Sequence, residues 1–410
     1  MKKMKIFLFS ILLLSSCSIN GVVNSSSVEV SSSSETSLSE SSLIESSSSS
    51  SSIRTSHLEK TRYSNPIRFH KQDGSLYSVY CADPDIIKGD DGAYYMYCTN
   101  TDCEMGNKGI MYDRGPIFKS ENLIDWTWVG SVFDGQTDIL SWGTPEAGVW
   151  APSVIKVGKM YNYYYSLSTL GDENPGIGVA TSPTPYGPWK HYGKVLDSKI
   201  TGVRNSIDPQ ALYYQDKLYL VWGSFFGIGI VELTDDGIEP YYGTNKLSEY
   251  VQYIIPDNTD GGDMNLDINY EGSFIIEKDD KYYYFGSQGT CLSGTNSTYT
   301  VKVGVSNSLF GPYLGSDGKE LSDKEGSFGD VVVQPSDEVA GTGHNTIIKD
   351  ENGEYWIFYH GYDINGENPG YRIPFIDKLL WDEKTGMPYV EDRKASIHVE
   401  KDGPTIAVYD

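Results

Sequence analysis

From residue 83 onward the apolar positions of this chain come in short runs broken by polar pairs and glycines. No long stretch follows the 3.6-residue period of a helix. One unit sets the pattern. Asp208-Pro209-Gln210-Ala211-Leu212-Tyr213-Tyr214 leads from an acid and a proline into a short strand. Gln215-Asp216 turns it, and Lys217-Leu218-Tyr219-Leu220-Val221-Trp222 returns on aromatic and branched residues. This predicts a β-hairpin with a carboxylate at its mouth. Four other stretches match it, opening at Asp83, Ala151, Glu271 and His344 and returning on Tyr94-Tyr95-Met96-Tyr97, Tyr163-Tyr164-Tyr165, Tyr282-Tyr283-Tyr284-Phe285 and Tyr355-Trp356-Ile357-Phe358. The five openings are spaced by 68, 57, 63 and 73 residues, which reads as a repeat architecture.

Each unit has a second half, such as 116–120 with 123–130 in the first and 301–306 with 311–314 in the fourth. The third is thinner, and the fifth continues through 371–375 and 379–382. About four short strands per unit, repeated radially, make a β-propeller. The expected fold is all-β, a five-bladed β-propeller over residues 61–410. A many-stranded β-sandwich is the rival, but it leaves the shared opening position unexplained. In a propeller the innermost strands run the same way along the axis, so their openings ring one end of the channel.

Composition narrows the partners. The formal charge of −24 excludes a nucleic-acid binder, which needs a basic face. A neutral polymer remains compatible. At the N-terminus Lys2, Lys3 and Lys5 precede the apolar runs 6–9 and 11–14 and then Ser15-Ser16-Cys17. The apolar part is too short to span a bilayer and reads as a secretory signal. Leu14-Ser15-Ser16-Cys17 resembles a bacterial lipobox, so residues 1–17 are expected to be a lipoprotein-type signal ending at a lipidated Cys17. An ordinary cleaved signal is the alternative. Residues 18–60 are expected to be a disordered linker, because 18 of the 28 residues from 25 to 52 are serine and such a tract cannot form a core. The expected location is the outer face of a bacterial membrane, touched only through the lipid, with the protein a monomer. The remaining cysteines, Cys81, Cys98, Cys103 and Cys291, lack metal-site spacing. Cys81 and Cys98 lie on the two arms of the first hairpin, a placement that suits a disulfide or two buried thiols, and the spacing assigns no bridge.

The opening positions read Asp83, Ala151, Asp208, Glu271 and His344. Any one of these alone is an ordinary turn or surface residue. Three carboxylates and an imidazole converging on one mouth are costly, because like charges in a cleft raise one another's pKa. Two carboxylates suit glycoside hydrolysis, one as acid and one activating water, and a third charge can hold the acid's proton on. Trp150, just before the second opening, and Phe225 with Phe226 after the third hairpin are candidate stacking platforms for a sugar; core packing is the plain alternative.

Ala82-Asp83-Pro84, Val149-Trp150-Ala151-Pro152, Ser206-Ile207-Asp208-Pro209, Tyr270-Glu271-Gly272 and Gly343-His344-Asn345 resemble the successive blade motifs of glycoside hydrolase family 43. The likeness covers residues 66–400. It implies a five-bladed propeller that cleaves arabinan or xylan with inversion, with Asp83 as general base, Glu271 as general acid and Asp208 as modulator of pKa and orientation. Within the family the loop 291–299, the opening 341–346 and the turn 381–388 are most similar to endo-1,5-α-L-arabinanases. That likeness implies a cation of calcium type near His344, held mostly through water. Two positions depart from the pattern: Ala82 stands where a His is common, and Ser153 where an Asp is common. An exo-acting α-L-arabinofuranosidase or β-xylosidase of the same family is the alternative. A non-catalytic carbohydrate-binding propeller is a further one, but it could dispense with the acids.

Overall fold

The computed structural model describes residues 56–410 except 78–79, 100, 105–109, 134–141, 144–146 and 410. The signal 1–17 with Cys17, and the linker up to residue 55, lie outside the described residues. Five sheets carry the repeats. From the inside outward, the first has Asp85–Lys88, Tyr94–Tyr97, Pro116–Ser120 and Trp126–Ser131. The second has Gly148–Val157, Met160–Ser168, Gly176–Ser182 and Lys190–Asp197. The third has Gln210–Tyr214, Lys217–Trp222, Ile228–Glu232 and Gln252–Ile255, and the fourth Glu271–Lys278, Lys281–Gln288, Thr300–Ser306 and Asp330–Val333. The fifth has Val339–Lys349, Tyr355–Asp363 and Ile373–Lys378. Each innermost strand touches those of the blades before and after it, and the fifth touches the first. The ring is closed, and the fold is a five-bladed β-propeller.

The hairpin turns follow from their polar pairs. Gln215 and Asp216 have φ of 48° and 63°, and Asp279 and Asp280 have 54° and 58°. Two successive left-handed residues match the right-handed twist of the paired strands.

The core lies between blades, in five clusters, one per seam. This explains the runs of tyrosine. Successive strand residues face opposite ways. Tyr163 and Tyr165 pack with Tyr97 of the first blade, while Tyr164 packs with Leu218 and Leu220 of the third. Tyr283 and Phe285 face the fifth blade, and Tyr284 packs with Val221 and Ile230 of the third. A strand covered on both faces needs bulk at every position, so alternation is lost.

Three details correct the sequence reading. The fifth blade has three strands, not four, because Leu380–Trp381 pairs with Pro388–Tyr389 instead. The edge it would occupy is taken by the N-terminal segment. Asn65 Nδ2 donates to Ile376 O (2.7 Å), Ile376 N to Asn65 Oδ1 (2.9 Å) and Ile67 N to Pro374 O (3.0 Å). The first blade gains a fifth strand, Phe69–His70, parallel to Trp126–Ser131. Finally, strand Ser56–Tyr63 begins inside the range that composition assigns to the linker, because it pairs antiparallel with the C-terminal strand Lys401–Tyr409. Pairing, not serine content, sets that boundary.

Candidate active site

The blade openings share a backbone device. Asp83, Ala151, Asp208, Gly272 and His344 all lie in the left-handed region, with φ of 55°, 42°, 59°, 58° and 50°. Such residues turn the chain sharply into the innermost strand, at a cost that non-glycine side chains meet only when the surroundings fix them. The fixing group comes from the preceding blade. Ala151 N donates to Thr99 Oγ1 (2.8 Å), Asp208 N to Ser166 Oγ (2.8 Å), His344 N to Ser287 Oγ (2.9 Å) and Asp83 N to His360 Nδ1 (3.2 Å). A second seam repeats three residues further on. Val154 N donates to Asp85 Oδ2 (2.6 Å), Ala211 N to Ser153 Oγ (3.1 Å) and Ile275 N to Gln210 Oε1 (2.7 Å).

Both devices place Gly272, not Glu271, at the fourth opening. Glu271 therefore stands one residue earlier, level with Trp150 and Ile207, and the shared register expected for it is corrected. The shift has a chemical result. Gly272 N donates to Asp208 Oδ2 (3.1 Å) instead of to the hydroxyl of the preceding blade. That hydroxyl, Ser224 Oγ, donates to Glu271 Oε2 (2.7 Å). Glycine gives room here: a Cβ would stand 3.0 Å from His344 Cγ, a contact that would make the imidazole shift.

The side chains meet in one cleft of ≈ 650 Å³, lined by Asp83, Asp208, Glu271, His344, Trp150 and Phe225 among others. Asp83 is its electrostatic centre. Its Oδ1 lies 3.3 Å from Arg372 Nη1, 3.3 Å from His344 Nδ1 and 3.2 Å from His360 Nδ1. Thr99 Oγ1 donates to its other oxygen. Burial pushes Asp83 up, but Arg372, His344 and His360 together outweigh it and hold the group well below the usual carboxylate range. Asp208 and Glu271 go the other way. Burial pushes Asp208 well up, and the nearby charges of Glu271 and Asp83 add to that. Burial raises Glu271 to about 7 against the hydrogen bonds from Ser224 and Tyr299, with Asp83's charge adding to the rise. Two buried carboxylates this close retain a proton between them. Burial also lowers His344 and takes His360 down to about 4, against the pull of Asp83.

Trp150 is half-buried with the cleft beside it; Phe225 is buried at φ 55°, its N–H bonded to Tyr270 O (2.8 Å). The guanidinium of Arg204 covers the ring of Phe226 at 4.0 Å. Cys81 and Cys98, left unpaired by their spacing, form a disulfide with Cα atoms 5.2 Å apart. Cys291 is a free thiol on the cleft wall.

Several residues of the site escaped the sequence reading. Thr99, Ser166, Ser224, Ser287 and His360 fall 15 or 16 residues after the left-handed position of their blades, so aligning the second strands would have found them. Arg372 has no counterpart in other blades. A single arginine at a strand edge reads as surface, and nothing in the repeat marks it.

A family model described as glycosyl hydrolases family 43 matches residues 73–388. The extracellular endo-alpha-(1->5)-L-arabinanase 1 of Bacillus subtilis (strain 168) is 31% identical over 289 residues, 68% of this chain and 81% of that protein. The extracellular exo-alpha-(1->5)-L-arabinofuranosidase ArbA of Cellvibrio japonicus (strain Ueda107) is 26% identical, over 71% of this chain and 85% of its own. Among solved structures, a family 43 endo-arabinanase from Bacillus licheniformis superposes with a TM-score of 0.62 at 26% identity, covering 76% of this chain and 98% of that one. With the family model spanning the blades that carry every residue of the cleft described above, the chain belongs to glycosyl hydrolases family 43 and is a hydrolase.

Proposed function

We propose that the protein hydrolyses α-1,5-linked L-arabinan within the chain and with inversion. The observation that carries the acid and base roles is the opposite electrostatic setting of the two carboxylates; inversion follows from the likeness to the family. Asp83 is held ionised by Arg372, whereas Glu271 sits near 7 and stays available as an acid. Environments that push two carboxylates apart mark the base and the acid. On this assignment Asp83 takes a proton from water as its oxygen attacks the anomeric carbon, and Glu271 gives its proton to the departing glycosidic oxygen. Asp208 is the modulator. Its proximity to Glu271 disfavours a second negative charge, and the Gly272 N–H fixes its orientation. Trp150 and Phe225 supply faces against which furanose rings stack.

Arabinan as substrate is supported by the names of both relatives. Attack within the chain is supported by the shape beyond Arg372. A second cavity of ≈ 280 Å³, lined by Tyr80, Tyr362 and Tyr371, shares Arg372 and Leu292 with the main cleft and so adjoins it. The exo reading is favoured by the Cellvibrio relative's name.

Among the described residues no three His, Cys, Asp or Glu side chains form a metal-holding group. The His344 imidazole, 3.3 Å from Asp83 and 4.0 Å from Asp208, fits a calcium-type cation carried mainly by water. When bound, that cation supplies positive charge beside the two carboxylates. A lipid on Cys17 and the serine-rich segment after it would hold the enzyme outside a bacterial membrane. The disulfide supports export, since such bonds persist in oxidising compartments.

The test is to incubate the full chain with debranched arabinan, arabinoxylan and xylan, with and without chelator, and to separate the products by size. Mixed arabino-oligosaccharides from arabinan are expected early. Monomer alone would establish exo action, and release from xylan alone would refute the substrate.

A further inference from the structure

The disulfide lies beside the catalytic machinery, and the reaction as proposed makes no use of it. In the first blade the regular ladder between the two inner strands ends at Asp85 and Tyr97. Beyond it one backbone bond remains, from Thr99 N to Ala82 O (2.9 Å), on either side of the left-handed Asp83. Cys81 and Cys98 adjoin that bond and are fully buried. At the place of Cys81 the other blades carry Val149, Ser206, Tyr270 and Thr342, so the blade that holds Asp83 alone has a covalent link there. Cys98 is joined in sequence to Thr99, whose hydroxyl donates to Asp83 Oδ2 and accepts the N–H of Ala151.

We propose that the Cys81–Cys98 disulfide is a positioning clamp for Asp83. It holds Cys98-Thr99 against Ala82-Asp83, so that the Thr99 hydroxyl fixes the orientation of the carboxylate. The proposal rests on the reading of Asp83 as general base. A small displacement of a catalytic group can cost about 10²-fold in rate. Releasing the clamp therefore lowers kcat and leaves the stacking surfaces, and with them KM, nearly unchanged. The charged groups that face Asp83, namely Arg372, His344 and His360 with Asp208 and Glu271 in the same cleft, are not altered.

The experiment compares three forms of the full chain: oxidised wild type, wild type made and kept reduced with both thiols counted, and Cys81→Ser/Cys98→Ser. Both kcat and KM are measured on debranched arabinan, and folding is checked by circular dichroism. The two unbridged forms should fold and lose roughly tenfold or more in kcat, with KM within about twofold. Unchanged kcat, with only the melting temperature lowered, would overturn the clamp. So would failure of both unbridged forms to fold, which would make the bond a folding staple. If oxidised wild type hydrolyses no substrate, the reading of the site fails first, and the clamp falls with it.

Discussion

Glu271→Gln is expected to lower kcat on debranched arabinan by about 10³-fold while the fold and substrate binding persist. General acid catalysis contributes on the order of 10²–10⁴, and the glutamine keeps the shape and can still accept from Ser224. The loss should depend on the leaving group. A sugar leaving as an alcohol needs a proton; an aryl arabinoside with an acidic phenol does not. Activity on the aryl substrate should thus return to within about tenfold of wild type. The wild-type profile should fall as pH rises through about 7, the range in which Glu271 loses its proton, and that limb should vanish in the variant. An unchanged basic limb would remove Glu271 from the acid role.

Asp83→Asn is expected to be equally severe, about 10³-fold, but indifferent to the leaving group, because water then lacks its base whatever departs. Two further effects separate it from a simple loss of function. The half-buried Arg372 loses its counter-charge, so the melting temperature should fall as well. The residual activity should also show its basic limb at lower pH. Asp83's negative charge raises Glu271, and Arg372 lowers it, so removing the anion shifts Glu271 downward on both counts. A basic limb that stays in place would mean that Asp83 does not act on Glu271.

The repeat, and so the blade count, was legible because every blade restarts with the same turn into its innermost strand. The hairpin turns were legible from Gln215-Asp216 and Asp279-Asp280, whose side chains tolerate the left-handed region. Other features came from contacts between residues far apart in sequence. The edge of the fifth blade is closed by Asn65, some 311 residues before the Ile376 that it bonds. Arg372 reaches Asp83 across 289 residues. Neither leaves a local signal. The one-residue shift at Glu271 was hidden for another reason. The apolar pattern of a strand covered on both faces does not alternate, so it cannot report a register change of one. Only the left-handed backbone at Gly272 and the hydrogen bonds from neighbouring blades reveal it.

The separation of roles between Asp83 and Glu271 predicts a stereochemical outcome that can be read directly. Debranched arabinan and the full chain are mixed in a proton NMR tube, and the anomeric signals of new reducing ends are followed before mutarotation. Water activated by Asp83 and opposed to Glu271 should deliver the β-anomer first. First appearance of the α-anomer, or no new reducing ends at all, would contradict the account.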